Sequence, residues 1–325
     1  MSRKIILDTD PGVGIPGTDA DDAIALFLAL AHPELELLAV TTTFGNCPPS
    51  LGARGARTIL EALGRTDIPL GVGQDVPLDG ILPAQLSKAY EGVRGRPGRI
   101  ELAEPEAAPS SATELIIDMV HAHPGEVTIV PIGPQTNLAR AIELDPSIVE
   151  EIDEIVFMGG ALGLGPGQHR GNITPTAECN IYFDPIAADR IFRSGAKLSM
   201  IGLDVSNVET GLVLGSDDLT GLQGAAASPA ARLFLDICHT YLESPMFDHG
   251  PGCILYDPLA ILSAAEPDVG HFQDLALGVE TRGALTLGET VVTTNPTPNV
   301  RAMTNVDGRD AIQRILRPIV SLLDR

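Results

Sequence analysis

The sequence predicts an α/β fold: an open, mainly parallel sheet with helices on both faces. Two observations point there. Short apolar runs alternate with helical patterns along the first two thirds of the chain, the signature of βαβ units. The composition, 44% hydrophobic and 20% charged, suits a packed globular enzyme. A third observation bears on domain count. No internal repeat, low-complexity linker or clear boundary interrupts the 325 residues, so a single domain, 1–325, is expected.

Strands are expected at 4–7, 37–43, 69–72, 127–132, 154–158 and 197–203, and helices at 22–31, 50–63, 112–122, 136–144 and 185–193. Ser111 with Glu114 reads as a capping box. Asp184-Pro185 reads as an N-cap followed by a first-turn proline. The segment 90–109 is rich in Gly, Pro, Arg and Glu without periodicity, and reads as a long surface loop where a lid would sit. In the last third, 229–242 looks helical until Pro245 and Gly250-Pro251-Gly252 break the pattern. Asp257-Pro258 opens a helix to about 264, and 275–279 with 285–293 alternate as a small late β-hairpin. An amphipathic helix at 307–323 closes the chain. With aromatics at 4% and no Trp, the core must be aliphatic.

The net charge of −22, with three lysines (Lys4, Lys88, Lys197), argues against nucleic acid and anionic membranes. No signal-peptide core and no membrane-length apolar stretch is found, so a cytoplasmic protein is expected. Cys47, Cys179, Cys238 and Cys253 are scattered without C-x-x-C spacing, which fits reduced thiols.

The chemistry gathers near the start. Asp8, Asp10, Asp19, Asp21 and Asp22 fall at the end of a strand and the beginning of a helix, with no Lys or Arg between Lys4 and Arg54. A helix dipole accounts for one or two acids, not five. A divalent cation among them is the economical answer, and hard oxygen ligands point to Ca²⁺ or Mg²⁺. Gly12-Val13-Gly14-Ile15-Pro16-Gly17 is a literal G-x-G-x-x-G, which raises an NAD-dependent oxidoreductase. The acids around it would repel a pyrophosphate, and the second strand ends Thr42-Thr43-Phe44-Gly45-Asn46 without an acid for a ribose. Asp8-Thr9-Asp10 also resembles a phosphatase D-x-D, yet neither Lys88 nor Lys197 stands in a convincing context to neutralise a phosphate.

Carboxamides and acids recur where later strands end: Asn46, Gln135-Thr136-Asn137, Asn172, Glu178 and Asn180, with Asp257 opening a late helix. In a parallel sheet these ends share one edge, where ligands bind. Such a rim suits a neutral polyhydroxy ligand around a metal. These motifs, with Asp10-Pro11-Gly12, Asp21-Asp22-Ala23, Met158-Gly159-Gly160 and the stretch Gly283 to Gly288, resemble the inosine–uridine preferring nucleoside hydrolases over nearly the whole length.

The resemblance implies Ca²⁺-dependent hydrolysis of ribonucleosides to ribose and free base, in nucleoside catabolism and purine or pyrimidine salvage. It implies Asp10, Asp22, Asp257 and the Ile132 main-chain carbonyl as metal ligands, with Asp10 also the general base for the attacking water. Asp21, Asn46 and Asn180 would bind the ribose 2′- and 3′-hydroxyls, Asn172 and Glu178 the 5′-hydroxyl, and Met158 would sit near the ribose. A homodimer or homotetramer goes with the family.

Two departures stand out. Val13 to Ala20 is an insertion where the family has one residue, which makes Asp19 a rival to Asp21 or Asp22 as a site residue; the helix that continues from Ala23 favours Asp21-Asp22. The position before the last metal-binding Asp, often His, is Tyr256, a weaker acid whose ordinary pKa is about 10. His249 is the candidate to compensate for it, and Tyr241, Phe247 and Tyr256 are the candidates for contact with the base. These departures motivate the competing reading, a ribose- or nucleoside-binding protein that has lost turnover.

Overall fold

The structure is a computed structural model that describes residues 2–15, 18–94, 100–104, 110–220, 228–242 and 252–324. Thirteen strands are described: β1 Arg3–Thr9, β2 Leu35–Thr42, β3 Leu70–Val72, β4 Ser110–Ser111, β5 Val127–Pro131, β6 Ile152–Met158, β7 Leu198–Ile201, β8 Val213–Leu214, β9 Cys253–Ile254, β10 Gly270–Leu275, β11 Leu277–Val279, β12 Thr290–Val292 and β13 Val300–Val306. Nine form one sheet in the order β10-β13-β7-β6-β5-β1-β2-β3-β4. Every neighbouring pair is parallel except β10 with β13.

The sheet order positions the site. From β1 the chain builds outward through β2, β3 and β4, then returns to the other side of β1 with β5, β6 and β7. The direction of winding therefore reverses between β1 and β5, and in an open parallel sheet that reversal opens a crevice at the carboxyl ends. Asp10 follows β1 and Ile132 follows β5, one on each side of it.

Strand periodicity explains why β1 can be central. Ile5 and Leu7 face one buried layer and Ile6 faces the other, and all three are fully buried. The first layer is closed by helices α1 (Asp21–Ala31), α2 (Pro49–Ala62), α9 (Pro229–Leu242), α10 (Tyr256–Ala265) and α11 (Gly308–Leu323). The second is closed by α4 (Ala112–Ala122), α5 (Thr136–Leu144) and α8 (Pro185–Phe192). Phe27 and Phe234 meet edge to face at 5.1 Å in the first layer. The remaining helices are α3 (Ala84–Arg94), α6 (Ile148–Glu151) and α7 (Cys179–Phe183).

Two expectations need correction. The segment 90–109 is not all loop: Tyr90 lies in α3, buried, and Ser110–Ser111 follows as an edge strand. Tyr90 packs with Leu86, Phe44 and Phe183 and is braced by two hydrogen bonds; the Gly- and Pro-rich residues that follow it hid the helix. The rest of the expected lid, at 95–99 and 105–109, lies outside the described residues. The late hairpin is present as β11 and β12, but β10 and β13 were not foreseen. Gly270–Leu275 is a mostly exposed edge strand, so it lacks an apolar signal.

Both expected N-caps are present, though at Ser111 only one half of the expected capping box forms. Ser111 Oγ accepts from the Glu114 N–H, and the Asp184 carboxylate accepts from the Ala187 N–H. All four cysteines are free, as their spacing implies. Among the described residues no helix is long and apolar enough to cross a membrane.

Candidate active site

Asp10 stands at the base of the crevice in a cradle made by two glycines. A Cβ at Gly45 would lie 1.9 Å from Asp10 Oδ2, and one at Gly133 would lie 2.4 Å from Oδ1. No side chain could occupy either position without displacing the carboxylate. Asp10 Oδ2 also accepts from the Asn46 N–H at 2.7 Å. Tyr90 fixes this turn from below: its hydroxyl accepts from the Gly45 N–H at 2.9 Å and donates to the Cys47 carbonyl at 3.2 Å.

Asp21 and Asp22 form the first turn of α1, both 1% exposed. Asp22 Oδ1 accepts from Thr9 Oγ1 at 2.5 Å and from the Asp10 N–H at 3.0 Å, which ties the helix to the end of β1. Asp21 Oδ2 accepts from the Asp257 N–H at 3.1 Å, bringing α10 against α1. Asp21 Oδ1 is buried without a hydrogen-bond partner. Asp19 belongs to the same group: its carboxylate, with those of Asp21 and Asp22, offers oxygens within 4.8 Å of one another, a set that could hold a metal ion. Sequence reasoning had set Asp19 against Asp21 and Asp22; the fold brings all three together.

No ion pair among the described residues neutralises these acids. Burial, reinforced by the surrounding carboxylates, therefore pushes Asp10, Asp19 and Asp257 well above the carboxylate range, and Asp21 up to about 7. Asp22 rises less, since Thr9, Asp10 and Asn46 donate to it. A divalent cation fits this donor set: crowded, desolvated, oxygen-only, and holding an orphaned acceptor at Asp21.

The carboxamides are oriented. Asn46 Nδ2 donates to Asp19 Oδ1 at 2.7 Å and Asp22 Oδ2 at 2.8 Å. Asn180 Nδ2 contacts the carbonyls of Ile132 at 2.9 Å and Met158 at 3.3 Å, and Met158 Sδ at 3.3 Å. Both side chains thus spend their donors on the protein, and the Oδ1 acceptors remain for a ligand. The Ile132 carbonyl accepts from Asn180, and its second lone pair is free for a cation.

Glu178 is a helix cap as well as a candidate ligand. Its carboxylate accepts from the N–H groups of Gly160, Asn180 and Ile181 at 2.9, 2.8 and 3.1 Å, and burial pushes it up to about 7. Asn172 is exposed at the rim, where its Oδ1 accepts from the Cys179 N–H at 2.9 Å. Tyr256 begins α10, and burial beside Asp21, Asp19 and Asp257 pushes its phenol upward, so it stays protonated across the ordinary pH range. His249 and Phe247 lie outside the described residues.

The sequence reading counted Asp8 among the acids around a cation; the structure sets it beneath them, on Thr41 and Asn137. Asp8 is fully buried, and its Oδ1 accepts from Thr41 Oγ1 at 2.7 Å and Asn137 Nδ2 at 2.8 Å. Burial pushes it up to about 7. The pairing of β1 with β2, which sets Asp8 opposite Thr41, is visible only in the fold.

Known proteins resemble this chain over nearly its whole length. The family model for inosine-uridine preferring nucleoside hydrolase matches residues 5–313. Uridine nucleosidase 1 of Arabidopsis thaliana is 37% identical over 89% of this chain and 82% of its own length. A pyrimidine-specific ribonucleoside hydrolase, RihA, of Shewanella sp. is 40% identical over 90% of this chain and 87% of its own. Among solved structures, a purine-preferring ribonucleoside hydrolase from Gardnerella vaginalis superposes with a TM-score of 0.85 at 30% identity, covering 99% of each chain. A plant nucleoside hydrolase superposes at 0.84 with 30% identity, over 99% of this chain and 100% of that one.

Proposed function

Because this chain belongs to the inosine-uridine preferring nucleoside hydrolase family, we propose that it cleaves the N-glycosidic bond of ribonucleosides with Ca²⁺ bound. The observation that carries the reading is one crevice holding Asp10, Asp21, Asp22 and Asp257 beside two carboxamides that offer only acceptors. An acceptor-rich pocket suits the donating hydroxyls of a neutral sugar, and it repels a phosphate. That argument also weighs against a dinucleotide at the inserted glycines.

Asp10, Asp22, Asp257 and the Ile132 carbonyl would hold the ion. What a divalent ion supplies in such a place is a lower pKa and a fixed position for the attacking water. Asp10 takes the water's proton: the ion keeps its carboxylate ionised and able to accept, and the Gly45–Gly133 cradle fixes its direction. Asp21, Asn46 and Asn180 orient the ribose 2′- and 3′-hydroxyls. Asn172 and Glu178 face the 5′ side, and Met158 closes the pocket beside Asn180. The ring of carboxylates stabilises positive charge as it develops on the sugar. Tyr256, kept protonated, donates to the departing base, with His249 a second candidate donor.

Uridine is the first substrate to test, since the two sequence relatives above are named for uridine or pyrimidine nucleosides. A homodimer or homotetramer and a cytoplasmic location are parts of the same proposal; exposed Ile81, Ile186 and Leu285 are apolar surface an assembly would cover. The test is a reducing-sugar assay over a nucleoside panel, with Ca²⁺ and with chelator. Ribose release that chelator stops is expected. Tight nucleoside binding without ribose release would refute hydrolysis.

A further inference from the structure

We propose, resting on the ribonucleoside reading above, that Asp19 is a positioning residue of the sugar site: it takes one amide proton of Asn46 and so aims the Asn46 carbonyl oxygen at the sugar hydroxyls. The amide has two protons, and Asp19 and Asp22 accept one each, at 2.7 and 2.8 Å. Each of these carboxylates presents an oxygen to one amide proton, so the orientation of the amide follows from its neighbours. The main-chain N–H of Asn46 is spent on Asp10. Every donor of Asn46 therefore faces an acid, and Oδ1 is what a ligand meets.

Asp19 comes from the insertion, whose described residues are docked against the fold. Val13 and Ile15 are buried, and Thr18 Oγ1 donates to the carbonyls of Gly12 at 2.7 Å and Ile15 at 2.8 Å. Val13 packs against α2, where a Cβ at Gly55 would meet it at 2.8 Å, and Gly14 backs onto Ile100. This anchoring delivers Asp19, half-buried, beside fully buried Asp21, whose orphaned Oδ1 is a further acceptor awaiting a donor. A hydroxyl donating to Asn46 Oδ1 and another donating to Asp21 Oδ1 would complete both residues.

The test compares Asp19→Ala with Asp19→Asn. Asparagine keeps an acceptor for the Asn46 amide and loses the charge. Asp19→Ala should raise KM for uridine about tenfold, the worth of one oriented hydrogen bond, with kcat within about threefold. It should also narrow the preference for uridine over 2′- and 3′-deoxyuridine. Asp19→Asn should restore the wild-type KM, and the calcium affinity of both variants, measured by calorimetry without substrate, should match wild type. An unchanged KM in Asp19→Ala would overturn the proposal. So would a tenfold loss of calcium affinity in both variants, which would make Asp19 an ion ligand. Failure of the parent reading looks different: the wild type itself would release no ribose.

Discussion

Removing the divalent ion should make the stability of this fold fall steeply as pH rises. The perturbation is chelation; the groups that respond are the buried acids of the crevice. Asp21 is the one to work through. Burial moves its pKa from 3.8 to about 7. A group the fold makes harder to ionise keeps its proton in the native chain where the unfolded chain has lost it. Between about pH 4 and pH 7 the native state binds more protons, so stability is fullest below that window and is lost as pH rises through it. Three pH units at 1.36 kcal/mol each come to about 4 kcal/mol for this one carboxyl. For 325 residues, an unfolding entropy of roughly 2.1 cal/mol/K per residue gives about 0.7 kcal/mol per degree. The melting temperature should therefore drop by about 6 °C between pH 4.5 and 8 in chelator, and further as Asp10 and Asp257 add to it.

Calcium should cancel that part of the slope, because its ligands Asp10, Asp22 and Asp257 stay ionised and its charge also favours the ionised form of Asp21, which is bonded to the Asp257 N–H beside it. At a thousandfold excess over its Kd, an ion that binds only the native state adds about 4 kcal/mol. Asp8 and Glu178 are also pushed up to about 7 by burial, but their partners are Thr41, Asn137 and main-chain N–H groups rather than the acids around the ion, so they tilt both curves alike. Melting curves with 1 mM CaCl₂ and with chelator, stepped through pH, isolate the crevice acids as a difference. Parallel curves would refute the reasoning, for they would mean that no ion relieves these carboxylates.

Other outcomes follow from single contacts. Asp10→Asn should lower kcat by about a thousandfold, within the usual range for loss of a general base, while the protein still folds. Gly45→Ala should cost more than a hundredfold in kcat, since its Cβ would lie 1.9 Å from Asp10 Oδ2, and Gly64→Ala, which has open space around it but a positive φ, is the control that strains a turn without touching the site. Tyr90→Phe should cost about 1–3 kcal/mol in urea unfolding by orphaning the buried Gly45 N–H. Tyr256→Phe should lower kcat for uridine about a hundredfold; the wild-type rate should hold to pH 9, because the phenol is pushed upward, whereas Tyr256→His should bring an alkaline decline near neutrality.

Much of the architecture was legible because it rests on local pattern. The helices Ala112–Ala122, Thr136–Leu144 and Pro229–Leu242 fall where amphipathic periodicity places them. The strands around β1 were visible as apolar runs, since both of their faces are buried. What escaped was hidden by neighbouring composition or by exposure: the helix turn that carries Tyr90, next to a Gly- and Pro-rich stretch, and the edge strand β10 with its partner β13. At the site, residue types and strand ends brought out Asp10, Asp21, Asp22, Asn46, Asn180 and Asp257, which the fold gathers in one crevice. The role of Glu178 as a cap was not visible, because it depends on where a five-residue helix begins.

The insertion shows why the site survives a break in its own motif. Eight residues separate Gly12 from Asp21, yet Asp10 and Asp22 remain joined by the Asp10 N–H and by Thr9 Oγ1. That contact does not depend on the loop between them. It is set by β1 ending beside β5 and by α1 docking on α10 through the Asp257 N–H. The loop needs only to leave Gly12 and return to Ala20, and Thr18 holds it to that path by bonding back to Gly12. Acid spacing in the sequence is therefore free to change while the geometry around Asp10 is not. Replacing Asp19 should therefore cost less activity than a single methyl group at Gly45 or Gly133, which would displace Asp10 itself.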